Sequence, residues 1–327
     1  MPVASGQQAE AVFIINTLAP IIVVTALGAV LRRTGFISAE LTAGLNKVTF
    51  FVGMPCLLFV KIATASFEAG PSVRIALTTV GVMAGVLIVT DLVQRMLSVA
   101  GPVRGAVSQA SFRSNCVYIG LVVLLYALEG RGDVGVSGSK VERSATLALG
   151  VIIPFLSIGS VLVLVQTEGA SRIETLRSSL RSVVTNPFVL ACVAATPFSL
   201  FDWTLPAFLT RSCEALGRMA LPAALLGIGA SLRWEPVRRH LGRSLMVTAI
   251  KLAIMPLLGW AVIHLADIPD DEAFAIMIFL TCPTAVSAYV MADQMRADAE
   301  LTAAIIVTTT VLAVIPLTAV LALYSGV

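Results

Sequence analysis

Charge is scarce in this chain. Only 13% of its 327 residues are Asp, Glu, Lys or Arg, and the formal net charge is +3. A soluble chain of ordinary composition carries about 25% charged residues. A soluble fold of this size still needs polar side chains to cover its outside, so a water-facing surface is excluded for most of the molecule. Histidine is nearly missing too, with His240 and His264 alone. The five cysteines (Cys56, Cys116, Cys192, Cys213 and Cys282) form no CxxC pair and lie scattered through apolar runs. That pattern suits buried thiols and excludes both a zinc site and a disulfide framework. HExxH, GxSxG and the Walker A glycine loop are absent, so the chain is read as neither an ATP hydrolase nor any other enzyme. No cofactor or metal is expected. The small net charge leaves no basis for nucleic-acid binding. The first ten residues hold no Lys or Arg and no small-residue cleavage site follows, so the first apolar run is read as a span that itself serves for insertion.

What is present is hydrophobicity: 57% of the residues are apolar and the mean hydropathy is +0.95. A helix needs about 20 apolar residues to cross a hydrocarbon core of about 30 Å. Ten such segments can be marked, at 12–31, 41–63, 73–97, 103–128, 144–165, 186–201, 206–232, 244–265, 272–295 and 301–324. The sixth is short and interrupted by Pro197. The runs do not alternate, which favours helices over barrel strands. Basic residues then set the orientation. The odd-numbered loops hold Arg32, Arg33, Arg104, Arg172, Arg177, Arg181, Arg233, Arg238, Arg239, Arg243 and Arg296, with Arg95 on the same side. The even-numbered loops hold fewer: Arg74, Arg131, Lys140, Arg143 and Arg211. In the fourth loop the three basic residues are interspersed with Glu129, Asp133 and Glu142. The bias places the odd loops in the cytoplasm and both termini outside the cell inner membrane.

The two halves of the chain echo each other. Pro20 and Pro187 are 167 residues apart, and so are Pro55 and Pro222. Around the second pair GMPCLLF resembles ALPAALL, and Asn115 and Cys282–Pro283 keep nearly the same spacing. Five spans per repeat is an odd number, so the second repeat enters the membrane from the opposite side. The expected domains are residues 1–167 and 168–327. Carriers built this way hold substrate near the midplane, where helices are broken. Two segments qualify. Span four inserts Ser111, Arg113, Ser114 and Asn115 between apolar runs, and span nine places Thr281, Cys282, Pro283, Thr284 and Ser287 mid-span. A proline removes a backbone donor and frees a carbonyl. Arg113 suits a carboxylate, or else reaches for the membrane interface. Lys47 reads as an interfacial anchor, Lys251 lies a third of the way into span eight, and Asp293 ends span nine. Glu214 and Arg218 are placed to pair within one helix, or to join a network with Lys47. GIGAS at 227–231 reads as close helix packing.

The chain resembles the auxin efflux carrier family, which includes plant auxin carriers and bacterial malate and malonate carriers. The similarity is carried in order by LAPIIVVTALGAVLRRTGFIS, LNKVTFFVGMPCLLF, SFRSNCVYIGL, TNPFVLA, LPAALLGIGASL and CPTAVSAYVMADQMRAD. It implies an all-α membrane fold of ten helices in two inverted five-helix repeats, with helices 4 and 9 broken where they cross. Helices 1, 2, 6 and 7 would form a scaffold and a homodimer contact. Helices 3–5 and 8–10 would form a transport domain moving like an elevator. The implied substrate is a small carboxylate, held near Asn115 with Arg113 and Ser114, and near Cys282, Pro283, Thr284 and Ser287. Pro55, Pro222 and Pro283 are the expected helix-breaking or structural prolines. The sequence departs from the plant carriers in three places. Val122 replaces a proline, the loop between the repeats near 169–181 is short, and span five lacks the polar residues that help to hold auxin. A sodium-coupled symporter of the bile-acid type, and a receptor or channel without a carrier cycle, are the alternative readings.

Overall fold

The computed structural model describes residues 6–64, 69–99, 101–130, 136–165, 181, 184–201, 203–232 and 235–324. Arg131, Asp133, Arg172, Arg177, Arg233 and most of the loop near 169–181 lie outside the described residues. Seven helices among the described residues are long and apolar enough to cross a membrane: Val12–Arg33, Ala39–Ala63, Gly70–Met96, Lys140–Leu164, Ala207–Ser231, Glu235–Leu265 and Ala299–Leu323. The other three expected segments are helical as well, but short or divided. The fourth splits into α5 (Gly101–Phe112) and α6 (Leu121–Gly130). The sixth is α8 (Pro187–Leu200), and the ninth splits into α12 (Asp270–Thr281) and α13 (Ser287–Gln294).

The long helices are α1 (Gly6–Arg33), α2 and α3 (Ala39–Val48 and Met54–Ala63), α4 (Ala69–Met96) and α7 (Val136–Val165). The second half supplies α9 (Ala207–Ser231), α10 and α11 (Glu235–Ala249 and Met255–Leu265), and α14 and α15 (Ala299–Leu312 and Val314–Leu323). Proline behaves in two ways. Pro55 and Pro256 each follow a π turn, Thr49–Gly53 and Ile250–Ile254, that widens the helix just before a residue with no N–H to give. The helix continues through both turns. It also runs through Pro197 and Pro222, so the expected interruption at Pro197 and a break at Pro222 are corrected to continuous helix. Neighbouring helices absorb such prolines without unwinding. Of Pro55, Pro222 and Pro283, only Pro283 lies in an open stretch.

α1 packs along α9, and α3 lies against both α8 and α9. Glycine sets how closely α1 and α9 approach. A Cβ on Gly229 would lie 1.8 Å from the Thr25 carbonyl oxygen, and one on Gly28 would lie 2.2 Å from that of Leu226. The GIGAS stretch is therefore a backbone-to-backbone contact. The opposite face of α1 exposes Val12, Ile15, Val23 and Leu27, which fits hydrocarbon. A second group of helices packs around α4, which touches α5, α7, α11 and α12, while α14 lies on α10. Arg74 on α4 and Glu272 on α12 form a two-pronged ion pair inside this group. Lys61 on α3 and Glu142 on α7 pair between the groups. Glu214 and Arg218 form an intrahelical pair at 3.7 Å. Asp293 is exposed near the end of α13. The described cysteines are all free, with Cys116, Cys192 and Cys282 buried.

Candidate functional site

The two divided segments meet where each leaves the helix. Asn115 has φ −83° and ψ 57°, outside the helical region. Cys282 is extended at φ −63° and ψ 143°, as expected for a residue that precedes proline. Between the two openings the Asn115 N–H donates to the Pro283 carbonyl at 2.8 Å, and the Ala285 N–H donates to the Arg113 carbonyl at 3.0 Å. The result is a short antiparallel bridge between Ser114 and Thr284. Thr284 secures it. Its hydroxyl donates to the Ala110 carbonyl at 2.8 Å, and its N–H donates to the Thr309 hydroxyl at 3.2 Å. Backbone groups released by one break are thus satisfied by the other.

The second halves of both segments start at this crossing. One is the π turn Cys116–Gly120 leading into α6, and the other is α13 from Ser287. The first N–H groups of a helix lack partners within it and carry partial positive charge. Two side-chain donors add to that field. The Arg113 guanidinium turns inward, not toward an interface. Its Nη1 donates to the Leu156 carbonyl and the Ser160 hydroxyl, both at 2.8 Å, and its Nη2 donates to the Ser287 hydroxyl at 3.2 Å. Among the described residues its Nε is buried without a partner. A guanidinium has five N–H groups. Three are used, which leaves one on Nε and one on Nη2. Among the described residues no carboxylate pairs with Arg113. The Asn115 amide nitrogen is likewise buried and unpartnered.

These donors face a cavity of about 40 Å³ lined by Arg113, Ser114, Asn115, Ser157, Asn186 and Ser287 among others. Asn186 was not singled out from sequence. It caps α8, its side-chain oxygen accepting from the Phe188 N–H at 2.9 Å while its amide donates to the Ser157 hydroxyl at 3.3 Å. The Asn-Pro step in TNPFVLA was its available signal, an N-cap followed by a first-turn proline. A larger cavity of about 600 Å³ adjoins, lined by Asn46, Lys47, Ser231 and Tyr289 with many apolar residues. Phe50 and Tyr118 line both cavities. Phe188 packs edge-on to both rings, with centroids at 4.8 Å and 6.1 Å.

Four of the seven residues singled out from sequence therefore line the small cavity: Arg113, Ser114, Asn115 and Ser287. The other three build the crossing around it. Pro283 gives its carbonyl to Asn115 and Thr284 ties the bridge, while the buried Cys282 thiol donates to the Ile278 carbonyl at 3.1 Å. Lys47 is exposed and opens onto the larger cavity instead of joining Glu214 and Arg218. Among the described residues no cluster of three or more His, Cys, Asp or Glu could hold a metal ion.

Known proteins share this sequence pattern. A family model described as membrane transport protein matches residues 13–321. An "Uncharacterized transporter" of Methanothermobacter thermautotrophicus is 22% identical over 306 residues, covering 92% of this chain and 95% of its own length. A "Putative malonate transporter" of Rhizobium meliloti is 27% identical over 142 residues, covering 43% of this chain and 44% of its own length.

Proposed function

The chain belongs to the membrane transport protein family, that of the auxin efflux carriers, and on that premise we propose that it is a secondary carrier for a small organic anion. The observation that carries this reading is the Arg113 Nε, buried without a partner among the described residues, beside the equally unpartnered amide nitrogen of Asn115. They lie at a crossing toward which two half-helices direct their N-termini. An arginine fork without a carboxylate of its own matches a carboxylate bidentately, with charge-assisted bonds. Malonate, named for one relative, is a candidate, as are malate and an auxin-like monocarboxylate.

In this reading the ten segments form two inverted repeats. α1, α2, α3, α8 and α9 make the scaffold, which also supplies the homodimer contact, and the remaining helices make the transport domain. The packing of α1 on α9 and of the other helices around α4 supports that division. The larger cavity lies between the two groups, near the ends of α2 and α9 that face the odd-numbered loops. With those loops in the cytoplasm of an inner-membrane protein, the cavity is the inward path. Phe50 and Tyr118 then stand between that path and the anion site. Movement of the transport domain past the scaffold would carry the crossing to the other face in an elevator step.

Uptake of radiolabelled malonate, malate and indole acetate into proteoliposomes tests the proposal. Saturable uptake of at least one carboxylate is expected. No flux of any carboxylate, from protein with an intact melting transition, would overturn it.

A further inference from the structure

Lys251 is a fully buried charge that the anion site does not use. It is 0% exposed, on the π turn Ile250–Ile254 between α10 and α11. A lone cation inside a membrane-spanning segment is costly and persists where it has a use. Its ammonium donates to the Phe112 carbonyl at 3.3 Å and to the Ser114 hydroxyl, and approaches the Met255 sulfur at 3.8 Å. Among the described residues no carboxylate pairs with it.

The partners are informative. Phe112 is the last residue of α5. In an unbroken helix its carbonyl would accept from the N–H four residues on, but the chain leaves the helix at 113–115 and frees it. That carbonyl also sits at the negative end of the α5 dipole. Freed carbonyls and hydroxyls at a half-helix C-terminus are the chemistry that coordinates an alkali cation in carriers with broken helices. Here they are occupied by a side chain. The lysine does not line the anion cavity; it lies behind Ser114, which does. The crossing is therefore polarised, with half-helix N-termini, Arg113 and Asn115 on the anion side and a half-helix C-terminus holding Lys251 on the other.

We propose that the Lys251 ammonium is a built-in cation of the crossing, taking the place of a sodium or potassium ion at the end of α5. The broken segments then hold their geometry, and the anion its electrostatic complement, with no inorganic cation to bind or release. The proposal rests on the carrier reading for its link to transport, but not for its link to cation binding.

The two are separated by measuring melting and uptake on the same purified chain. Wild type, Lys251→Met and Lys251→Ala are melted in sodium chloride, in choline chloride of equal strength, and in choline chloride with added n-butylammonium. The wild-type midpoint and its carboxylate uptake are expected to be the same in sodium and in choline. Lys251→Met fills the volume without charge, and its uptake is expected to fall by about tenfold or more with no recovery from any cation. Lys251→Ala leaves a vacancy, and sodium or n-butylammonium is expected to raise its midpoint above that in choline, as a ligand of the native state does. Wild-type uptake that requires sodium would overturn the proposal, as would Lys251→Met that melts and transports like wild type. If Lys251→Ala does not fold, the other two proteins still decide the matter. A wild type that moves no carboxylate would remove the carrier reading while the melting comparison still reports on the cation. Carboxylate flux that needs sodium would remove this proposal and leave the carrier reading intact.

Discussion

Replacing Arg113 by lysine keeps the charge and removes the fork, and so isolates what the guanidinium contributes to anion binding. The structure sets the size of the effect. Three guanidinium N–H groups are held by Leu156, Ser160 and Ser287. Of the two left over, one is on Nη2 and one on Nε, which is buried with no partner among the described residues. A lysine ammonium cannot reproduce the fork. A charge-assisted hydrogen bond contributes about 1.5–3 kcal/mol. Loss of one such bond to the substrate should raise the Michaelis constant by roughly 10- to 150-fold. The assay is the concentration dependence of carboxylate uptake into proteoliposomes, with the melting midpoint of each variant as the check on folding. Ser160→Ala serves as the control, because it removes one support of Arg113 but leaves the Nε open; its constant should rise less than that of Arg113→Lys. If Arg113→Lys folds and keeps the wild-type constant, the guanidinium does not hold the anion. A fall in maximal rate at an unchanged constant would place Arg113 in the movement of the domain instead.

Three further substitutions test the frame around the site. Gly229→Ala should lower the melting midpoint by several degrees, since its Cβ would land on the Thr25 backbone and overpacking costs about 1–3 kcal/mol; Gly242→Ala, with nothing within 4 Å, should be close to neutral, and equal effects would deny the close α1–α9 contact. Thr284→Val removes the hydroxyl that holds Ala110, and should cost about 1 kcal/mol of stability in a denaturation series and reduce uptake as the crossing loosens; wild-type behaviour in both would mean that the bridge needs no such tie. A double-mutant cycle of Lys61→Ala and Glu142→Ala, read by melting, should give a coupling below about 1 kcal/mol, because both side chains are partly exposed; a coupling of several kcal/mol would show that the two helix groups are locked together there.

The membrane character and the two openings are legible in the sequence because each has a local signature. Long apolar runs mark the spans, and polar residues set among apolar neighbours mark the crossing at Arg113–Asn115 and Thr281–Ser287. Pro283 announces its own break through the extended residue it imposes before it. Pro197 and Pro222 carry the same local signal yet leave the helix whole, because packing from neighbouring helices decides whether a proline unwinds a segment. The parts that could not be read depend on distant partners. Lys251 looks like any lysine within a span until the fold brings it to Ser114, 137 residues away in sequence. Glu272 meets Arg74 across 198 residues, and Lys61 meets Glu142 across 81. Arg113 was readable as a charge in a span, but its direction was not, because the same side chain can turn toward the interface or the interior. Only the placement of Leu156, Ser160 and Ser287 around it settles the choice.

The central claim is that an anion binds at the crossing of the two broken segments and traverses the membrane with it. Counterflow tests this most directly. Proteoliposomes loaded with an unlabelled carboxylate that the wild type takes up are diluted into a trace of the same carboxylate carrying label. The wild type should accumulate label transiently above equilibrium, and Asn115→Ala, at an unchanged melting midpoint, should accumulate none. Equal accumulation by Asn115→Ala would move the site away from the crossing, and label that only equilibrates, with no overshoot in the wild type, would contradict a carrier cycle.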